Sequence, residues 1–197
     1  MDKIVVLDFG SQYNQLIVRR IRDFGVYSEL LDHETDIEIL RNDPSIKGIV
    51  LSGGPNSVYE EDAFDIDPEI FNLGLPVLGI CYGMQLMAAR LGGKVEGNQV
   101  SEYGLTKLRV TQANPLTDGF EKDFSVWMSH GDSVVEMPDG FEVIASSDDT
   151  EVVIFKHREK PLFGLQFHPE VRNTEHGFDM ISNFVFKVCQ AEKSWSM

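Results

Sequence analysis

A cysteine between two glycines stands where a strand-like run gives way to a helix-like run. Cys81 lies in the segment Gly-Ile-Cys-Tyr-Gly at residues 79–83, between the apolar run 75–78 and a helix-like run at 84–91. This layout is typical of a nucleophile elbow, where small neighbours allow a sharp turn that lifts the nucleophile out of the sheet. The N-terminus of the following helix favours the thiolate form. We therefore predict that Cys81 is a nucleophile and not a buried structural cysteine.

A cysteine nucleophile needs a base that takes its proton and a third group that orients the base. His168 ends an apolar strand-like run, and Glu170 follows two residues later. Side chains at i and i+2 of an extended segment point to the same side, and Pro169 favours the extended conformation at His168. We predict that His168 is the base for Cys81 and that Glu170 orients it.

The oxyanion of such a reaction is held by backbone N–H groups. Tyr82 directly follows the nucleophile and supplies the first by position. Gly54 follows another strand-like run, and we predict it as the second donor because glycine lets the backbone approach a ligand closely. A plain tight turn is the alternative for this segment.

A polar segment, Ser-His-Gly-Asp at residues 129–132, is predicted to follow a further strand and to line the same pocket. His130 is the second candidate for the base, but Asp132 follows a glycine in a predicted turn and offers no carboxylate on the same face. We therefore interpret the segment as substrate-binding or structural. No zinc site is expected, because Cys81 and His168 lack two further ligands at a metal-binding spacing.

The order of elements predicts an α/β fold with a largely parallel central sheet flanked by helices and additional short antiparallel strands in the C-terminal half. In the first half, strands are predicted at 3–8, 27–31, 48–51 and 77–80, and helices at 14–24, 36–41 and 84–91. In the second half, strands are predicted at 104–111, 124–128, 141–146, 152–156 and 162–167, and a last helix at 178–189.

The composition excludes several classes of function. The 197 residues fit one domain, and the formal net charge of -15 argues against a nucleic-acid partner. No apolar run approaches the ~20 residues of a membrane span, and the N-terminus lacks a signal-peptide layout, so no membrane association is expected. Two cysteines, Cys81 and Cys189, make no disulfide framework, and we expect a cytoplasmic location.

Together these segments resemble the class I, triad-type glutamine amidotransferases over essentially the whole chain. Residues 79–85 are similar to the nucleophile motif of that family, residues 167–170 to its His–Glu motif, and residues 52–55 to its oxyanion loop. Three further segments, at 7–13, 127–132 and 169–175, resemble the amidotransferase domains of GMP synthases. Asn173 departs from the histidine common there, but it lies outside the triad.

The resemblance implies that the chain hydrolyses glutamine to glutamate and ammonia through a γ-glutamyl thioester. The triad would be Cys81, His168 and Glu170, and the oxyanion donors Gly54 and Tyr82. Gln85, one helical turn beyond the nucleophile, is similar to the glutamine-recognition residue of the family. The substrate-binding residues are then predicted to be Gly53, Gln85, Ser129, His130, Gly131 and Asp132.

The resemblance also implies a partner that uses the ammonia to aminate XMP to GMP. Residues 1–190 are expected to form the amidotransferase domain, and residues 191–197 to begin a linker to an ATP-pyrophosphatase (synthetase) domain. No Gly-x-x-x-x-Gly-Lys-Ser/Thr segment occurs, so ATP and magnesium are expected in that partner and no cofactor in this domain. The full-length enzyme is expected to be a homodimer.

Three alternatives remain open from the sequence. The chain could serve a different amidotransferase, act as a cysteine peptidase or thiol hydrolase on a similar scaffold, or be a non-catalytic regulatory module. Thiol hydrolases usually place the acid before the histidine or further away, and a degenerate module would be expected to lose one triad residue.

Overall fold

The architecture is one nine-stranded sheet with helices on both faces. The computed structural model describes residues 1–55 and 57–196, with the backbone alone for 98–101. The strands are β1 (Lys3–Asp8), β2 (Tyr27–Asp32), β3 (Ile46–Leu51), β4 (Val77–Ile80), β5 (Lys94–Val110), β6 (Asp123–Glu136), β7 (Phe141–Ser147), β8 (Ile154–His157) and β9 (Leu162–Leu165). The helices are α1 (Asn14–Asp23), α2 (Ile37–Asn42), α3 (Tyr82–Arg90) and α4 (Gly177–Asn183); a 3-10 helix spans Pro68–Asn72, and a π-helical turn, Phe184–Val188, continues α4.

The sheet has a parallel half and an antiparallel half. The strand order is β2-β1-β3-β4-β9-β8-β7-β5-β6. The strands from β2 to β9 in this order pair in parallel, and those from β9 to β6 pair antiparallel. This arrangement confirms the predicted fold class, and it shows that the antiparallel strands extend the same sheet.

The parallel strands are apolar on both faces because helices cover both. Ile4 and Val6 of β1 belong to one buried cluster, which α1 and α4 cover, while Val5 and Leu7 belong to the other, which α3 covers. Alternate residues of a strand point to opposite faces, so an uninterrupted apolar strand places side chains in both clusters.

Cys189 is a core residue near the end of the chain. Its side chain is buried, and a methyl group on Gly48 of β3 would overlap its sulfur atom. Burial raises the pKa of the Cys189 thiol. The second cysteine therefore fills space between the sheet and the C-terminal helix.

Strands β5 and β6 are longer than predicted, and this corrects the expectation for residues 129–132. These residues lie inside β6 and not in a turn after a strand, with Glu102 opposite His130 and Gly97 opposite Asp132. A register irregularity between Gly97 and Glu102 accommodates the glycine-containing stretch. Pairing with a distant strand here overrides the local turn signal of the glycines.

The segment after α4 packs on the domain. Ala191 is buried, and the Trp195 N–H donates to the Gly25 carbonyl at 3.0 Å. The Trp195 ring lies 6.0 Å from that of Tyr27, and the residue is half-buried. Met197, the last residue of the predicted linker, lies outside the described residues. None of the described helices has the length and apolar character needed to cross a membrane.

Candidate active site

The turn between β4 and α3 has a strained backbone at Cys81. Its φ is 51° and its ψ is −104°, a conformation that non-glycine residues rarely adopt. The flanking glycines are required for close packing: a methyl group on Gly83 would overlap the Leu51 carbonyl, and one on Gly79 would lie 2.7 Å from the Gly83 carbonyl oxygen. The turn therefore has the geometry of a nucleophile elbow, as the sequence predicted.

Cys81 opens onto a cleft of about 700 Å³ at the carboxyl ends of the parallel strands. His168 lines the same cleft. So do residues 129–132 and, from the chain after β3, Gly54, Pro55, Ser57, Tyr59 and Glu60. Gly53 lies between Cys81 and His168: a methyl group there would come within 3.0 Å of His168 Cε1 and 3.8 Å of Cys81 Cβ. The absence of a side chain at Gly53 lets the two residues approach each other.

His168 follows β9 and is held on two sides. Its N–H donates to the Trp127 carbonyl at 3.2 Å, and its Nδ1 lies 2.7 Å from Glu170 Oε1. Burial lowers the pKa of His168, but hydrogen bonds to Cys81 and Glu170 outweigh burial and raise it to about 10. The charged imidazolium form of His168 is thus favoured.

The sulfur of Cys81 has two further polar neighbours. Sγ lies 3.7 Å from the Ser129 carbonyl oxygen, and Gln166 Nε2 lies 3.7 Å from Sγ. Gln85, buried in α3, donates from Nε2 to the Asp132 carbonyl at 3.0 Å. Two of the predicted substrate-binding residues, Gln85 of α3 and Asp132 of β6, are thus hydrogen-bonded to each other near the nucleophile.

The two predicted oxyanion donors border the cleft beside Cys81. Tyr82 is the first residue of α3, where an N–H has no partner within the helix. Gly54 packs against the chain after β1, since a methyl group there would lie 2.5 Å from the Phe9 carbonyl oxygen. The Gly54 backbone is thus closely packed, and Tyr82 is buried.

Residues 5–188 match the class-I glutamine amidotransferase family. This chain belongs to that family. Its sequence is 57% identical over 197 residues to a GMP synthase [glutamine-hydrolyzing] of Lactobacillus gasseri, covering 100% of this chain and 38% of the relative. It is 57% identical over 194 residues to the same-named protein of Staphylococcus aureus strain MSSA476, covering 98% of this chain and 37% of the relative.

Two solved structures have the same fold as this chain. A Thermoplasma acidophilum protein, described as one of the subunits of a GMP synthase, superposes with a TM-score of 0.84 and 32% identity, covering 96% of this chain and 94% of that one. A glutamine amidotransferase of Thermotoga maritima, at 20% identity and a TM-score of 0.77 over 96% of this chain and 99% of that one, shares the fold. This amidotransferase thus spans less than two fifths of the curated relatives but nearly all of the Thermoplasma protein.

The amidotransferase contains a second buried His–Glu pair, which the sequence did not reveal. His130 Nε2 lies 2.9 Å from Glu102 Oε1, and its Nδ1 lies 2.8 Å from the Asp132 carbonyl. Thr150 and Ser147 donate their hydroxyls to the same carboxylate at 2.5 and 3.0 Å. The pair fixes the backbone of residues 130–132. Glu102 is an even number of residues from the buried Leu108 and Val110 on the same strand, so its side chain is expected on the same face of the sheet. This spacing was the sequence signal that could have identified Glu102 as a buried residue.

Gln166 is another neighbour of the nucleophile that the sequence did not reveal. It is fully buried beside Cys81, and its Oε1 lies 3.4 Å from Gln85 Nε2. A polar residue at the end of an apolar strand, two residues before His168, was the available signal.

One cluster of metal-ligand types lies outside the cleft of the amidotransferase. Among the described residues, Glu121, Glu175 and His176 bring one ligand-type atom each within 4.8 Å of one another. His176 Nε2 lies 2.9 Å from Glu121 Oε2, and its ring stacks on Phe120 with centroids 4.4 Å apart. A hydrogen bond between His176 and Glu121, beside a stacked aromatic ring, accounts for this arrangement.

Proposed function

We propose that this amidotransferase hydrolyses glutamine to glutamate and ammonia, with Cys81, His168 and Glu170 as its catalytic triad. One observation carries the proposal: the strained elbow places Cys81 in the same cleft as a buried histidine that is hydrogen-bonded to a glutamate. A core cysteine needs neither the strained turn nor the His–Glu pair.

In the first half of the reaction, the Cys81 thiolate attacks the side-chain carboxamide carbon of glutamine. The N–H groups of Tyr82 and Gly54 stabilise the negative charge that develops on the carboxamide oxygen. The His168 imidazolium gives its proton to the departing nitrogen, and ammonia leaves as the C–N bond breaks. A γ-glutamyl thioester and a neutral His168 remain.

In the second half, His168 takes a proton from water as the water oxygen attacks the thioester carbonyl carbon. The carbon–sulfur bond breaks, glutamate is released, and the thiolate–imidazolium pair is restored. Glu170 keeps the imidazole in one orientation through both halves. We assign recognition of glutamine to Gly53, Gln85, Ser129, His130, Gly131 and Asp132, which line or support this cleft.

We further propose that the ammonia aminates XMP to GMP in a synthetase region that binds ATP and magnesium. Support comes from the relatives named GMP synthase, of whose length this chain spans 37–38%. Residues 191–197 then begin the connection to that region, the full-length enzyme is a homodimer, and its location is the cytoplasm.

The glutaminase proposal is tested by measuring ammonia and glutamate release from glutamine, with peptide and ester substrates in parallel. We expect equal amounts of glutamate and ammonia from glutamine and no turnover of the other two. Hydrolysis of a peptide or ester without ammonia release from glutamine would contradict the proposal.

The synthetase proposal is tested by repeating the glutamine assay with the synthetase region of a full-length relative, XMP and ATP–magnesium added. We expect slow glutamine hydrolysis by the chain alone and faster hydrolysis in the mixture, with GMP formed from glutamine. Equal glutaminase rates with and without the added region would argue against this partner.

A further inference from the structure

Asp132 is predicted to contact the substrate, yet its carboxylate is bound within the protein. Oδ1 accepts a hydrogen bond from the Tyr59 hydroxyl at 2.8 Å, and Oδ2 accepts one from the Ser57 hydroxyl at 2.5 Å. The two donors come from the chain after β3, and Tyr59 is 73 residues from Asp132 in sequence. Both ends of this contact line the cleft that holds Cys81.

Gly97 of β5 also takes part in this contact, because it is paired with Asp132 in the ladder between β5 and β6. A methyl group on Gly97 would overlap the Tyr59 hydroxyl and lie 2.7 Å from Asp132 Oδ1. The missing side chain thus leaves the space in which the tyrosine hydroxyl meets the carboxylate. The rest of the tyrosine faces solvent to a large extent, since 58% of the residue is exposed.

The backbone of Asp132 is fixed independently of its side chain. Its carbonyl accepts from Gln85 Nε2 at 3.0 Å and lies 2.8 Å from His130 Nδ1. Asp132 is therefore a fixed point on β6, and the hydroxyls of Ser57 and Tyr59 join the chain after β3 to it. Loss of those hydroxyls would release the segment and leave β6 in place.

We propose that Tyr59 is a positioning residue: its hydroxyl, seated on Gly97 and bonded to Asp132, tethers residues 57–60 across the cleft and so orders the binding site around Cys81. This inference rests on the proposed glutaminase function for its kinetic part only. Tyr59 does not touch the reacting atoms; it acts by anchoring residues 57–60 to Asp132, and substrate affinity is what its loss changes.

The test compares Tyr59→Phe and Gly97→Ala with the unmodified chain in two assays. The first is the alkylation rate of Cys81 by iodoacetamide, read from the modified peptide by mass spectrometry. We expect this rate to rise about 2- to 10-fold in both variants. Loss of one hydrogen bond of ordinary strength raises the population of the untethered segment by about this factor. Tyr103→Phe removes the hydroxyl of another exposed tyrosine that lines the cleft, but from β5 and not from the segment after β3, and it should leave the rate unchanged.

The second assay is steady-state glutamine hydrolysis, with the synthetase region added if turnover by the chain alone is slow. We expect KM to rise by a similar factor in both variants while kcat stays within about twofold of the unmodified value. Thermal unfolding should be unaltered in Tyr59→Phe, which separates positioning from stability.

Three results would overturn the inference. The first is alkylation of Tyr59→Phe and Gly97→Ala at the unmodified rate, and the second is an equal acceleration in Tyr103→Phe. A rise in kcat/KM would also overturn it, since the tether would then inhibit binding. If the unmodified chain releases no ammonia, the glutaminase proposal fails, and the alkylation rates still decide the role of Tyr59.

Discussion

His168 and Glu170 are joined by a 2.7 Å hydrogen bond between Nδ1 and Oε1, although only Pro169 separates them. Both side chains are buried, and Glu170 Oε2 accepts no hydrogen bond from any residue in the described part of the chain. The imidazole is therefore the one described partner of this carboxylate. Because Nδ1 is engaged by Glu170, Nε2 is left for Cys81.

Replacing Glu170 by Gln should lower kcat and move the pH profile. We expect kcat to fall roughly 10²- to 10⁴-fold, the usual contribution of general acid–base catalysis. Glu170 is one of the groups that raise the pKa of His168, so its neutralisation lowers that pKa. The imidazolium is then lost at lower pH, and the alkaline limb of kcat/KM should shift from near pH 10 to lower pH. Glu175→Gln, an exposed change five residues away, is the control; an unshifted limb in Glu170→Gln would contradict the assigned role.

Replacing Cys81 by Ala should abolish glutaminase activity and leave the fold intact. The reaction has no other nucleophile in this scheme, and removal of a triad nucleophile costs about 10⁶-fold in kcat. The alanine occupies the same strained position, so stability should change little. The measurements are ammonia release and circular dichroism, with Cys189→Ala as the control that retains turnover. Appreciable turnover by Cys81→Ala would remove this residue from its role.

The elements around the nucleophile follow from short-range signals. The Gly-x-Cys-x-Gly spacing at the β4–α3 junction and the i, i+2 relation of His168 and Glu170 are both local. The backbone at Cys81 and the hydrogen bond between His168 and Glu170 confirm those geometric predictions. The catalytic roles themselves remain predictions.

The features that the sequence did not predict depend on pairing between segments that are distant in the chain. The extension of β5 and β6 arises from a ladder between strands whose glycines read locally as turns. Glu102 reaches His130 only through that ladder, and Tyr59 reaches Asp132 across 73 residues. No local propensity or spacing encodes such a contact, because it exists only once the sheet has formed.

The packing of Cys189 against β3 gives a stability prediction. Gly48→Ala would place a methyl group on the Cys189 sulfur, and overpacking of this kind costs about 1–3 kcal/mol. Cys189→Ala removes that sulfur, so the double variant should lose less free energy of unfolding than the two single variants together. Urea denaturation of all four proteins gives the coupling, expected at about 0.5–3 kcal/mol. Strict additivity would show that the sulfur is not what excludes a side chain at Gly48.

The buried pair of Glu102 and His130 should contribute much more to stability than an exposed ion pair does. In Glu102→Ala, His130 Nε2 and the hydroxyls of Ser147 and Thr150 lose their acceptor, and breaking a buried pair costs about 3–5 kcal/mol. Glu102→Gln keeps an acceptor oxygen and should cost less.

The matched control for this pair is Glu142→Ala. Glu142 lies 3.8 Å from both Lys156 and Arg158 in a solvent-accessible pair, and its removal should cost at most about 1 kcal/mol. The free energy of unfolding of the three variants is measured by urea titration, and KM for glutamine is measured alongside it. Because the pair holds the Asp132 carbonyl, KM should rise in the order unmodified, Glu102→Gln, Glu102→Ala. Equal stability losses in Glu102→Ala and Glu142→Ala would contradict a supporting role for Glu102 beneath the substrate-binding residues.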